Sequence, residues 1–127
     1  MSAVVLDAGA LIAIDRGERA TVARLYAARQ AGLDLRSNAM VVAQAWRDPG
    51  GRQAALARLL AAVDVRSVTE RDGRAAGQLL ARAGGSDATD ATVALLAEPG
   101  DRILTGDPGD LVRLTRAAGG SVIIVAC

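Results

Sequence analysis

The amino-acid sequence predicts an α/β sandwich built on a mostly parallel sheet. Three features predict it. Apolar runs of strand length alternate with segments whose apolar residues recur every three or four positions. Glycine and proline punctuate most boundaries. The alternation continues to the end of the chain without an internal repeat, linker or low-complexity segment, the pattern of helices packed on a parallel sheet. At 127 residues the chain has ordinary single-domain size, so residues 1–127 are expected to form one domain with one site.

The elements follow in order. Ala3 to Leu6 reads as a short buried strand, and Leu11, Ile12 and Ile14 mark a helix that stops near Gly17. Glu18 to Ala31 carries Val22, Leu25 and Tyr26 at helical spacing, with Gly32 as its C-terminal cap and Leu33 to Arg36 as the second strand. Met40 to Trp46 suggests a short helix ended by the Asp48-Pro49-Gly50-Gly51 turn. A further helix then carries Leu56, Leu59, Leu60 and Val63 on one stripe. Asp64 to Val68 is a weakly alternating third strand. Thr69 opens the next helix, with Asp72 completing an imperfect capping box and Ala76, Leu79, Leu80 and Ala83 on its buried face. After Gly84-Gly85, Ser86 is the expected N-cap of a helix that is apolar nearly all round from Ala91 to Leu96. Arg102 to Thr105 is the fourth strand, Leu111 and Leu114 mark a helix, and Ser121 to Ala126 is a fifth strand with a continuous apolar core.

Composition excludes several chemistries. The chain has no histidine and no lysine, which removes the usual general base, the serine hydrolase triad and the P-loop lysine. Its one cysteine, Cys127, rules out an internal disulfide or a cysteine metal cluster. A net charge of +1 does not announce a nucleic-acid binder, although arginines can still cluster on one face. The apolar runs fall short of a membrane span, and MSAVVLDAGALIAIDRG lacks the basic start of a secretory signal, so a cytoplasmic location is expected.

What remains is carboxylate chemistry. In an open parallel sheet, ligands gather beyond the carboxyl ends of the strands, near the point where strand order reverses. Asp7 follows the first strand and Asp107 the fourth, so both are expected in one crevice if these strands are neighbours. Asp90, on the first turns of the helix that feeds the fourth strand, is placed to join them. Asp87 reads as helix-start chemistry, where negative charge is favoured. The TGDPGD segment also allows a simple turn, which Asp110 could serve in place of Asp107. Three converging carboxylates without lysine or histidine would retain protons unless a positive partner arrived, and oxygen-only ligands favour Mg²⁺ or Mn²⁺.

VVLDAGALIA, SDATDATVALLA and ILTGDPGDL, in this order and spacing, resemble a PIN domain over nearly the whole chain, and more narrowly the VapC-type toxins of toxin–antitoxin pairs. The resemblance implies a three-layer α/β/α sandwich with a central five-stranded parallel sheet. It also implies an Mg²⁺- or Mn²⁺-dependent ribonuclease, held inactive by a VapB-type antitoxin and commonly dimeric. By position, Asp7, Asp90 and Asp107 are its metal-binding and catalytic acids, and Thr105 matches a small hydroxyl residue that holds a carboxylate or water.

The departure lies in VVAQAWRDP, where the family's usual glutamate is Gln44. Its amide oxygen can orient a ligand or water but brings no charge, so weaker metal binding is expected. Asp48, one turn further on, is a possible substitute. Arg47 reads equally as a phosphate contact or as a neighbour of a packed Trp46. The stripes Val22-Leu25-Tyr26 and Leu56-Leu59-Leu60 are expected in the core; any exposed part would suit an antitoxin helix instead. The rival reading is a catalytically silent PIN-like module that binds RNA or an antitoxin without cleaving. A response-regulator phosphoacceptor would need a lysine, and a haloacid-dehalogenase-like site would need an acid where Gly9 stands.

Overall fold

A computed structural model describes residues 2–127. Five parallel strands, β1 (Ala3–Leu6), β2 (Asp34–Asn38), β3 (Asp64–Arg66), β4 (Arg102–Thr105) and β5 (Ile123–Ala126), form one sheet in the order β3-β2-β1-β4-β5. Seven helices connect them: α1 (Ala8–Asp15), α2 (Arg19–Gln30), α3 (Ala39–Ala45), α4 (Ala54–Ala61), α5 (Glu70–Ala83), α6 (Ala88–Leu96) and α7 (Pro108–Ala117). The chain walks from β1 outward to β3, then returns across the sheet to β4 and β5. Right-handed crossovers therefore put α1 to α4 on one face and α5 to α7 on the other. The packing agrees, since α1 lies against α2, α3 and α4 while α5, α6 and α7 lie against one another. This is the three-layer architecture expected from the sequence.

Strand order reverses between β1 and β4, and that junction fixes where a ligand site belongs. β1 is buried along its whole length and pairs with β2 through Val5 opposite Arg36 and with β4 through Val5 opposite Ile103. Leu6, Leu11, Leu56, Leu79, Ile103, Leu111 and Leu114 are the large side chains sealed around it. The edge strands differ from the sequence expectation. β5 begins at Ile123, which is 54% exposed, and β3 stops at Arg66 with all three residues exposed. An edge strand has a neighbour on one side only, so apolar composition does not seal it.

At the amino ends of the strands, one buried aspartate ties the sheet together. Asp101 accepts from the Ala3 N–H at 2.8 Å, from the Glu98 N–H at 2.8 Å and from Arg36 Nη1 at 3.3 Å, joining the start of β1 and the approach to β4 to the middle of β2. Every partner is a donor or a cation, so this buried charge is answered. Gln53 plays a comparable part between α3 and α4. Its buried amide accepts from the Arg47 and Asp48 N–H groups and donates to the Ala45 carbonyl and to Asp15, which holds Asp48 at a positive φ of 44°. The Asp48-Gly51 turn is thus fixed by a residue two positions beyond it.

Local signals place the caps. Thr69 and Asp72 form a complete capping box on α5. For α6 the expectation is corrected: Asp87, not Ser86, is the N-cap, its carboxylate accepting from the Asp90 N–H at 2.9 Å. The α2 stripe is corrected as well. Leu25 is buried, but Val22 is 46% and Tyr26 67% exposed, because α2 packs chiefly on α1 and β2, which cover part of its stripe. Leu56 is core, with Leu59 and Leu60 half-buried beside it.

Candidate metal centre

The site is built at the carboxyl ends of β1 and β4. Asp7 leaves β1 with its N–H bonded to the Leu104 carbonyl at 3.0 Å and serves as N-cap of α1, its Oδ1 accepting from the Ala8 N–H at 2.8 Å. Its Oδ2 accepts from the Thr105 hydroxyl at 2.7 Å. That same hydroxyl oxygen accepts from the Asp107 N–H at 2.9 Å, so one fully buried threonine fixes both the first acid and the backbone of the last. Each Asp7 oxygen has thereby used one acceptor position and keeps another.

Close approach of two loops makes this possible. A Cβ placed on Gly9 would lie 2.6 Å from the Gly106 nitrogen and 2.9 Å from its Cα. Only glycine lets the first turn of α1 touch the loop between β4 and α7.

Asp90, third residue of α6, enters from the opposite helical layer. It is 6% exposed, and no hydrogen bond reaches its carboxylate among the described residues. Burial first, then repulsion from Asp7, Asp87, Asp107 and Asp110, pushes its pKa up to about 7. Asp107 caps the start of α7 ahead of Pro108 and is exposed, with Asp110 one turn on in the same helix. Hydrogen bonding to Asp110, followed by burial and by repulsion from Asp110 and Asp7, raises the Asp107 pKa above the usual carboxylate range. One carboxylate oxygen from each of Asp90, Asp107 and Asp110 falls within 4.8 Å of the others. Three carboxylates gathered in this way are oxygen donors of the kind a hard divalent cation takes.

The structure therefore groups Asp90 and Asp107 with Asp110, while Asp7, whose charge raises the pKa of both Asp90 and Asp107, lies outside that group. The i, i+3 spacing of Asp107 and Asp110 puts them on one helical face, a signal present in TGDPGD. Gln44 lies exposed on α3 and its side chain makes no hydrogen bond among the described residues; Asp48 lies in the turn beyond α3. The Arg47 guanidinium donates to the Ala43 and Trp46 carbonyls at 2.9 and 2.8 Å, closing the C-terminal end of α3 from outside the helix, and Trp46 is partly exposed. Beside the acids, Asn38 at the end of β2 donates to the Thr92 hydroxyl at 3.1 Å and accepts from the Val41 N–H, locking α3 and α6 across the crevice. Sequence reasoning gave no role to that pair, whose residues are 54 positions apart.

No protein-family model and no curated protein sequence matches the chain. Solved structures do match. One is the VapBC2 of Rickettsia felis, solved bound to a DNA fragment from their promoter; the match has a TM-score of 0.69 at 12% identity and covers 98% of both chains. The chain thus shares the fold of a chain of that complex, with the five-stranded parallel sheet expected from its sequence. No helix among the described residues is long and apolar enough to cross a membrane.

Proposed function

We propose that residues 1–127 form a single-domain, Mg²⁺- or Mn²⁺-dependent endoribonuclease that acts as the toxin of a toxin–antitoxin pair. The observation that carries this reading is Asp90, whose carboxylate accepts no hydrogen bond among the described residues and groups with Asp107 and Asp110 near the switch point of the sheet, in a chain with neither histidine nor lysine. Asp7, Asp90 and Asp107 hold the cation, which supplies a more acidic bound water and offsets charge on a scissile phosphate. Thr105 positions Asp7 and the Asp107 backbone, so the two acids keep a fixed separation. Gln44 contributes an amide oxygen that orients a ligand or water. RNA is the substrate, a VapB-type antitoxin the partner, and a homodimer the assembly. The fold shared with VapBC2 supports the antitoxin, and the exposed Val22 and Tyr26 offer an apolar face on α2 for it.

The test is cleavage of a structured RNA pool by the purified chain in Mn²⁺. Cleavage is expected to stop with a chelator. In Asp90→Asn it should fall by more than the roughly 10–100-fold cost of losing even an outer-shell partner of a metal site. Asp87→Asn, which keeps an equivalent cap, should retain it. A folded wild-type protein that leaves every RNA intact would favour the silent binding module, with the missing charge at Gln44 as the cause.

A further inference from the structure

We infer that the groove between α2 and the β4–β5 half of the sheet is a docking site for an acidic amphipathic helix of a partner protein. β5 packs on β4 and, through the opposite face of the sheet, on α7. On the face that carries α1 to α4, a groove of about 280 Å³ therefore lies between α2 and the last two strands. Leu104 and Val125, opposite one another in the β4–β5 register, form its floor, and the exposed Ala27 and Ala31, one turn apart on α2, form a wall. Arg24 enters from α2 and Arg102 from the start of β4. Arg24, Ala27 and Ala31 recur at helical spacing, so they share the flank of α2 that points away from Val22 and Tyr26. The groove is thus a separate surface from the apolar face on which an antitoxin was placed above, and it does not rest on the ribonuclease reading.

Charge and shape choose the occupant. Arg24 and Arg102 come from opposite walls, neither makes an ion pair among the described residues, and no acid lines the groove. Elsewhere such hollows carry their own carboxylates: Arg66 and Arg71 share theirs with Asp72 and Glu98, and Arg29 shares its own with Asp34 and Asp64. Two cations converging on apolar surface without an anion are complemented by the carboxylates of a partner. The groove is smaller than the roughly 300–1,000 Å³ clefts that enclose small ligands, and it is open to solvent. It suits a row of side chains from a helix laid beside α2, whose alanines let a second helix come close. Such a helix would carry the α1 to α4 layer on over β5. Its recognition chemistry is an apolar stripe at i, i+3 or i+4 and i+7, flanked by glutamates or aspartates that meet the two arginines.

Fluorescence anisotropy of a labelled synthetic helix, with a leucine stripe flanked by glutamates, tests this. Wild type should bind it, and Arg24→Glu/Arg102→Glu should bind it about tenfold or more weakly. A peptide with lysines in place of the glutamates should reverse that order. Arg82→Glu/Arg116→Glu makes the same change of net charge on the opposite helical layer, beyond a Debye length, and should stay within about twofold of wild type. Thermal melts check that each double variant is folded, and Arg24→Gln/Arg102→Gln repeats the measurement if the charge-reversed protein is not. No binding by wild type, an equal loss in the two double variants, or binding undiminished when a central proline breaks the peptide's helix overturns the inference.

Discussion

The two ends of the sheet each bury an aspartate, and they treat it in opposite ways. Asp101, 2% exposed at the amino ends of the strands, accepts from two backbone N–H groups and from Arg36. Asp90, a residue 6% exposed near the carboxyl ends, accepts from nothing among the described residues and is repelled by four more carboxylates, Asp7, Asp87, Asp107 and Asp110. Burial is nearly equal; the partners are not. A carboxylate met by donors fastens strands, whereas one without donors and crowded by like charges is a candidate for a ligand site.

Removing the charge at each end should therefore have opposite signs. The largest effect is expected for Asp101→Ala, which leaves the buried Arg36 guanidinium with only the 3.9 Å ion pair from its Nε to Asp64 and takes the acceptor from the Ala3 and Glu98 N–H groups. A loss of about 3–5 kcal/mol is expected in urea denaturation. No loss, or a gain, would erase the contrast between the ends.

Gly9→Ala probes the site end through the backbone. The new Cβ would meet Gly106 backbone atoms, which cannot swing aside, so a loss of about 1–3 kcal/mol is expected, together with weaker Mn²⁺ binding. Gly109→Ala, in open space within α7, is its control and should be neutral or stabilising by about 0.5–1 kcal/mol. Equal effects at the two glycines would mean that the contact between the loops does not constrain the site.

The smallest effect sharpens the comparison by pH. The folded state holds the Asp90 proton up to about pH 7, whereas an unfolded aspartate releases it near 4. In chelator, this group's contribution is full below about pH 4 and is lost as the pH rises through about 7. Asp90→Asn should abolish that decline and add about 1–2 kcal/mol at pH 8, a figure reduced by the water that reaches the site. Calorimetric melts of both proteins from pH 4 to 8 check it. A wild-type stability that rises over this range would contradict the uncompensated charge.

Much of this was legible in the chain before any coordinates. The element order, the strand Arg102–Thr105, the capping box at Thr69 and the carboxyl-end placement of Asp7 and Asp107 all follow from signals spanning a few residues. Misreadings also had local causes. Ser86 and Asp87 are both good caps, and only the backbone geometry decides that Asp87 takes the Asp90 N–H. Helical spacing gave α2 an apolar stripe but could not say which of its residues a neighbour would cover.

By itself, the sequence determined which chemistry was available and which segments were helix or strand, because periodicity, capping and residue type act over one or two turns. Tertiary structure alone decided which acids meet. Asp7 shares Thr105 with Asp107 across 98 residues, Asp101 finds Arg36 across 65, and Asp90 finds Asp110 instead of a charge on α3. Those pairings depend on the strand order β3-β2-β1-β4-β5 and on which face each helix crosses, and no short stretch of sequence encodes either one.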